Sequence, residues 1–147
     1  MHQGNGTAAI FAANPDVFTF SIHGARNYPL HKERSTLDVE LDDGCGDAAY
    51  LAAMDAHLPA ALDRHRPDCV FYQAGVDGLQ EDRFGRLALS LSGLRERDAR
   101  VFAWCARRAL PVVVTLGGGY ARPLEASVAA HAQTLRAARR ACDARHE

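Results

Sequence analysis

The strongest constraint on this chain is a pair of short, almost wholly apolar runs, each followed at once by a glycine-bearing loop. They are Cys69 to Gln73 (CVFYQ) and Val112 to Leu116 (VVVTL). Neither alternates polar with apolar residues, which is the pattern of strands buried on both faces. VVVTL reads as the clearest buried strand, and Val17 to Ile22 (VFTFSI) as a third, rich in β-branched and aromatic residues. Helical periodicity fills the spaces between. Asp47 to about Arg64 places Leu51, Met54, Leu58 and Leu62 on one face, with Pro59 expected to kink or interrupt it. Ser92 can cap a second helix, whose inner face carries Leu94, Val101, Trp104 and Cys105 and which Pro111 ends. Pro123 can open a third, with Leu124, Val128, His131 and Leu135 on one stripe. Its far end carries Arg136, Arg139, Arg140 and Arg145, where positive charge suits the helix dipole. Thr7 to Ala13 predicts a short helix ending near Asn14-Pro15, and Gly24 to Gly46 a long irregular stretch. Strands alternating with helices predict an α/β fold: a doubly wound parallel sheet with helices on both faces. Ligands gather at the carboxyl ends of such strands.

A chain of 147 residues suits one domain, and neither a linker nor an internal repeat divides it. A formal charge of −1 supplies no general reason to bind nucleic acid or an anionic membrane. No apolar run has the length of a membrane span, and the N-terminus lacks the layout of a signal peptide, so a cytoplasmic location is expected. Cys45, Cys69, Cys105 and Cys142 are scattered and form no C-x-x-C pair; buried, reduced thiols are expected.

Three polar clusters fall near the expected strand ends. Asp77 lies just past CVFYQ; an acid there can bind a metal, act as a base, or cap a turn. Gly117-Gly118-Gly119-Tyr120 follows VVVTL. The glycines let backbone approach a ligand closely, but the spacing is neither that of a P-loop nor G-x-G-x-x-G. A phenol on so rigid a turn can donate a hydrogen bond to an oxyanion, or can simply be a packed aromatic. His2-Gln3-Gly4-Asn5-Gly6-Thr7 is a polar, glycine-rich start that by itself reads as a loose terminus.

Taken together and in this order, the clusters resemble the histone deacetylase family. HQGNGT matches the end of that family's D-x-H-x-G-N-G-T segment. Tyr72-Gln73-Ala74-Gly75-Val76-Asp77, followed by Asp82-Arg83-Phe84-Gly85, matches its second metal-ligand loop. LGGGY, from Leu116 to Tyr120, matches its tyrosine motif. Ser21 to Pro29 (SIHGARNYP) resembles the bacterial and class IV branch. The resemblance covers essentially the whole chain. It implies a metal-dependent hydrolase that removes acetyl groups from acetyl-lysine or a related acetylated amine. The metal is Zn2+, or Fe2+ with similar ligands, held in part by His2 and Asp77 with an open coordination position. Tyr120 is the implied oxyanion donor, and Gly118 and Gly119 the implied substrate-binding turn. A monovalent cation, K+ or Na+, is implied at Ser21 and the Ile22 carbonyl, with a second at the backbone around Phe11, Asn14 and Val17. His23 is expected to be structural. The implied partners are an acetylated protein or a small acetylated amine, with no direct nucleic acid contact.

The chain also departs from the family. The family's other zinc aspartate lies two positions before the histidine, which is ahead of Met1, and its paired proton-handling histidines lie further upstream. Residues 1–147 are therefore expected to be a partial deacetylase domain lacking its N-terminal part, and a poor catalyst alone. Met1 stands where the family often has valine, as a GTG codon read as a start would produce. Three rival readings stay open: an acetylpolyamine or small-amide deacetylase, a non-catalytic remnant or interaction module, and a generic nucleotide-binding domain.

Overall fold

The computed structural model describes residues 1–143, so Arg145 lies outside the described residues. The elements run in order as α1 (Asn5–Ile10), β1 (Phe20–Gly24), β2 (Leu37–Leu41), α2 (Asp47–His65), β3 (Val70–Gln73), α3 (Leu91–Arg107), β4 (Val112–Thr115) and α4 (Leu124–Asp143). The strands form two parallel pairs, β1 with β2 and β3 with β4. Parallel neighbours need a crossover between them, and α3 supplies it for β3 and β4. The α/β class expected from the sequence is the class observed.

Local differences have local causes. Strand β2 lies inside the stretch expected to be irregular. Its sequence, Leu37-Asp38-Val39-Glu40-Leu41, alternates as a half-exposed strand should, with Val39 and Leu41 buried and Glu40 exposed. Helix α1 starts and ends earlier than expected, and β1 begins at Phe20 rather than Val17. Helix α2 runs through Pro59 without interruption, losing only the bond a residue there would donate one turn back. Helix α3 is capped by Ser90 rather than Ser92: the Ser90 Oγ accepts the Gly93 N–H at 2.9 Å. Ser90 is itself fixed by Asp47, which accepts its N–H at 2.8 Å and its hydroxyl at 2.5 Å. A side chain at Gly93 would strike that Asp47 carboxylate.

The core gathers Leu79, Leu87, Leu89, Leu94, Val101, Trp104 and Cys105 with Met54 and Leu62 of α2. Of the cysteines only Cys105 is buried; Cys69 and Cys142 are exposed, against expectation, because Cys69 precedes β3 and Cys142 lies near the end of α4. Strand β4 is not buried throughout either. Phe71 and Val113 are register partners and both are exposed, so one face of that pair is bare where they stand. The large apolar residues of the α4 stripe face outward. Leu124, Val128 and Leu135 are 63%, 60% and 52% exposed, while Ser127, Ala130, Thr134 and Ala137 are buried. No helix among the described residues is long and apolar enough to cross a membrane.

Candidate active site

Beyond their last residues, β3 and β4 stay zipped together. The Ala74 N–H donates to the Thr115 carbonyl at 2.9 Å, and the Val76 N–H to the Gly117 carbonyl at 3.2 Å. This brings the Asp77 loop against the glycine run, and sterics then require glycine. A Cβ on Gly75 would lie 2.8 Å from the Gly117 oxygen. Gly118 (φ +67°) would place one 2.8 Å from the Asp77 Cγ, and Gly119 (φ +113°) one 2.7 Å from the Val76 Cγ2. The close approach that Gly118 and Gly119 permit is thus to their own chain's Asp77 loop. His131 of α4 donates from Nε2 to the Gly118 carbonyl at 3.1 Å, leaving Nδ1 buried without a partner.

The Asp77 loop is held from below by a buried charged network. The Arg97 guanidinium donates to the Gly75 carbonyl at 2.7 Å and to Asp98 Oδ1 at 2.8 and 2.9 Å. Asp98 also accepts the Tyr72 hydroxyl and the Thr134 hydroxyl, each at 2.5 Å. Burial, aided by Asp98, pushes the Tyr72 phenol well above its usual value against the opposing pull of Arg97, so it remains a donor. No sequence motif pointed to Arg97 or Asp98, because adjacent charges on a helix ordinarily read as a solvated face.

Asp77 is 6% exposed and receives residues from the start of the chain. His2 Nδ1 lies 2.7 Å from Asp77 Oδ2, and the Met1 ammonium donates to Oδ1 at 2.8 Å. Burial works against the Asp77 charge, but the Met1 ammonium and the His2 bonds outweigh it and hold the pKa below the usual carboxylate value. The Met1 carbonyl accepts the N–H of Gly24, the last residue of β1, at 3.0 Å. Gln3 locks the same segment by donating to the Glu33 carbonyl and to Asp38.

Tyr120 follows the glycine run that packs on the Asp77 loop. Its side chain is 57% exposed, with the ring edge-on to Phe84 at 5.3 Å. Its N–H donates to Asp82 Oδ2 at 2.6 Å. A shallow depression beside it is lined by Arg83, Tyr120, Ala121, Arg122 and Leu124. Ser21 is buried in β1, with Oγ 3.0 Å from His23 Nδ1 and accepting the Gly4 N–H at 3.4 Å. Ile22 follows it in β1. His23 is fully buried, burial lowers its pKa despite Asp38, and its Nε2 has no hydrogen-bond partner. Phe11, Asn14 and Val17 lie together in a separate turn, where the Phe11 carbonyl accepts from Asn14 and the Asn14 carbonyl from Val17.

His2 and Asp77 are donor types that zinc takes, and they converge. Among the described residues, no group of three His, Cys, Asp or Glu comes together. The converging donors among the described residues therefore fit part of a three-ligand set.

A histone deacetylase domain is matched over residues 1–135. The chain is 45% identical over 139 residues to an uncharacterized protein of Picosynechococcus, covering 95% of this chain and 46% of that protein. It is 33% identical over 132 residues to the histone deacetylase-like amidohydrolase of Pseudomonas aeruginosa, covering 82% of this chain and 35% of that protein. Its structure is similar to acetylpolyamine aminohydrolase from Burkholderia pseudomallei, with a TM-score of 0.73 and 30% identity, covering 91% of this chain and 41% of that one. The chain thus spans less than half the length of each. With the motif residues at one end of a parallel β pair and this match along nearly its full length, the chain belongs to the histone deacetylase family.

Proposed function

We propose that this chain carries part of the active site of a metal-dependent hydrolase that removes acetyl groups from acetyl-lysine or a similar acetylated amine. The observation that carries the reading is the convergence of His2 Nδ1 and Asp77 Oδ2, 2.7 Å apart, on a loop against the Gly118 turn that leads to Tyr120. Zinc or iron(II) bound there supplies carbonyl polarisation and a water made nucleophilic near neutral pH. The chain's own residues do the rest of what it can do. Asp77 and His2 would hold the metal, and the glycine turn fixes the approach to Asp77. The hydroxyl of the exposed Tyr120 would donate to the oxygen that gains charge as the amide is attacked. The products are acetate and a free amine. Ser21 and the Ile22 carbonyl, tied to the His2 segment through Gly4, belong to the same reading as a K+ or Na+ site.

The proposal extends to the domain. Coverage of under half of each relative supports reading residues 1–147 as part of a deacetylase domain, with His2 and Asp77 as the donors that converge among the described residues. A polyamine substrate is a second reading, supported by the similarity to the Burkholderia enzyme.

The test is zinc content together with deacetylation of an acetyl-lysine peptide and of acetylputrescine, on this chain and on a form extended upstream. About one zinc with turnover in the extended form only is the expected result. No metal and no turnover in either form would establish a non-catalytic remnant.

A further inference from the structure

We infer that Asp82 is the positioning residue for Tyr120, clamping it to the Asp77 loop; the inference rests on the reading of Tyr120 as oxyanion donor. Asp82 is 8% exposed, although its neighbours Arg83 and Phe84 are exposed. Its carboxylate accepts three main-chain N–H groups. Oδ1 takes those of Phe84 at 2.9 Å and Gly85 at 2.8 Å. Oδ2 takes that of Tyr120 at 2.6 Å, from a residue 38 positions away. A local turn accounts for the first two bonds and leaves the third unexplained. One oxygen thus serves each member of the Phe84–Tyr120 edge-to-face pair, and the Arg83 guanidinium lies over Phe84 at 5.1 Å. Two further bonds flank the clamp, from the Arg83 N–H to the Tyr120 carbonyl and from the Arg122 N–H to the Glu81 carbonyl. The 82–85 turn is itself pressed on the Asp77 main chain, since a Cβ on Gly85 would strike the Asp77 carbonyl. Asp82 therefore couples the place of Tyr120 to that of Asp77.

The chemistry requires a carboxylate. Asparagine has one acceptor oxygen, which the paired Phe84 and Gly85 donors claim, so its NH2 would face the Tyr120 N–H, donor against donor. Asp82→Asn should unclip Tyr120 and leave the turn formed. On the 15N-labelled chain, the Tyr120 amide should exchange slowly in the unaltered protein, and the Phe84 and Tyr120 rings should share a nuclear Overhauser contact. Asp82→Asn should speed Tyr120 amide exchange by about tenfold to a hundredfold and abolish the ring contact, with α3 amides unchanged. Tyr120→Phe should keep the amide slow, because the clamp uses the main chain. In whichever form turns over, Asp82→Asn should lower kcat by roughly tenfold to a hundredfold at unchanged KM, and should add little to Tyr120→Phe.

A Tyr120 amide that exchanges as fast as a free loop in the unaltered chain overturns the proposal. So does Asp82→Asn that leaves it slow, loosens α3 equally or fails to fold, and so do fully additive losses with Tyr120→Phe. The deacetylase reading fails separately, if no form turns over with zinc while the amide clamp is intact.

Discussion

Helix α4 has two unlike sides, a buried one of small residues and an exposed one where large apolar residues stand among charged ones. The inner side is Ser127, Ala130, Thr134 and Ala137, all buried; Thr134 bonds Asp98 of α3, and Ser127 Oγ accepts the Ala121 N–H at 3.1 Å. The outer side is Leu124, Val128 and Leu135, all exposed. Small residues face a close neighbour, and large apolar residues face nothing described. The outer stripe has the composition of a buried surface, so hydrophobic periodicity identified an apolar face but not the face this chain buries.

The comparison breaks first if the inner side proves dispensable. Arg97→Met leaves Asp98 buried with only hydroxyl donors, and should cost about 3–5 kcal/mol in urea unfolding. Converting Asp98→Leu in the same chain should recover much of that loss. Ala130→Leu would drive extra volume into the α3–α4 contact and should cost about 1–3 kcal/mol by the same measurement. Acid gives a smaller and graded test. The pKa of Asp77 is depressed in the folded chain, so its contribution is complete above its unfolded pKa and is lost as pH falls through the folded one. Stability measured against pH should show this acid loss, and Asp77→Asn should flatten it. The smallest effect belongs to the outer side. Val128→Ser and Leu135→Ser should each change stability within about 0.5 kcal/mol while reducing self-association in sedimentation, because they shrink an exposed apolar patch. A large loss of stability there would mean that the outer side is already covered.

Much of this was legible in the sequence where one physical rule acts alone. Strands β3 and β4 follow from apolar runs and helices α2 and α3 from periodicity, and the Asp77–Gly118 corner follows from motifs whose glycines have steric work to do. Other features were hidden where two rules compete. Ser90 and Ser92 are equally good caps by residue type; the extended backbone at Ser90 and its bonds to Asp47 decide between them. Strand β2 hides among acids, since half of it faces water. Arg97 and Asp98 look solvated until Gly75, Tyr72 and Thr134 are seen around them.

The separation of the four strands into two pairs bears on how the chain comes apart. Cooperative unfolding is carried most directly by continuous ladders, and no strand ladder joins β1–β2 to β3–β4 among the described residues. The halves communicate through side chains of the shared core, through Met1 and His2, which bond Gly24 at the end of β1 and Asp77 beyond β3, and through a short main-chain contact of Gly44 and Cys45 with Arg86 and Ala88. Two opening units are the natural result, with amides of β1 and β2 exchanging together and those of β3 and β4 exchanging on their own schedule. A strand inserted between the pairs would merge those schedules into one.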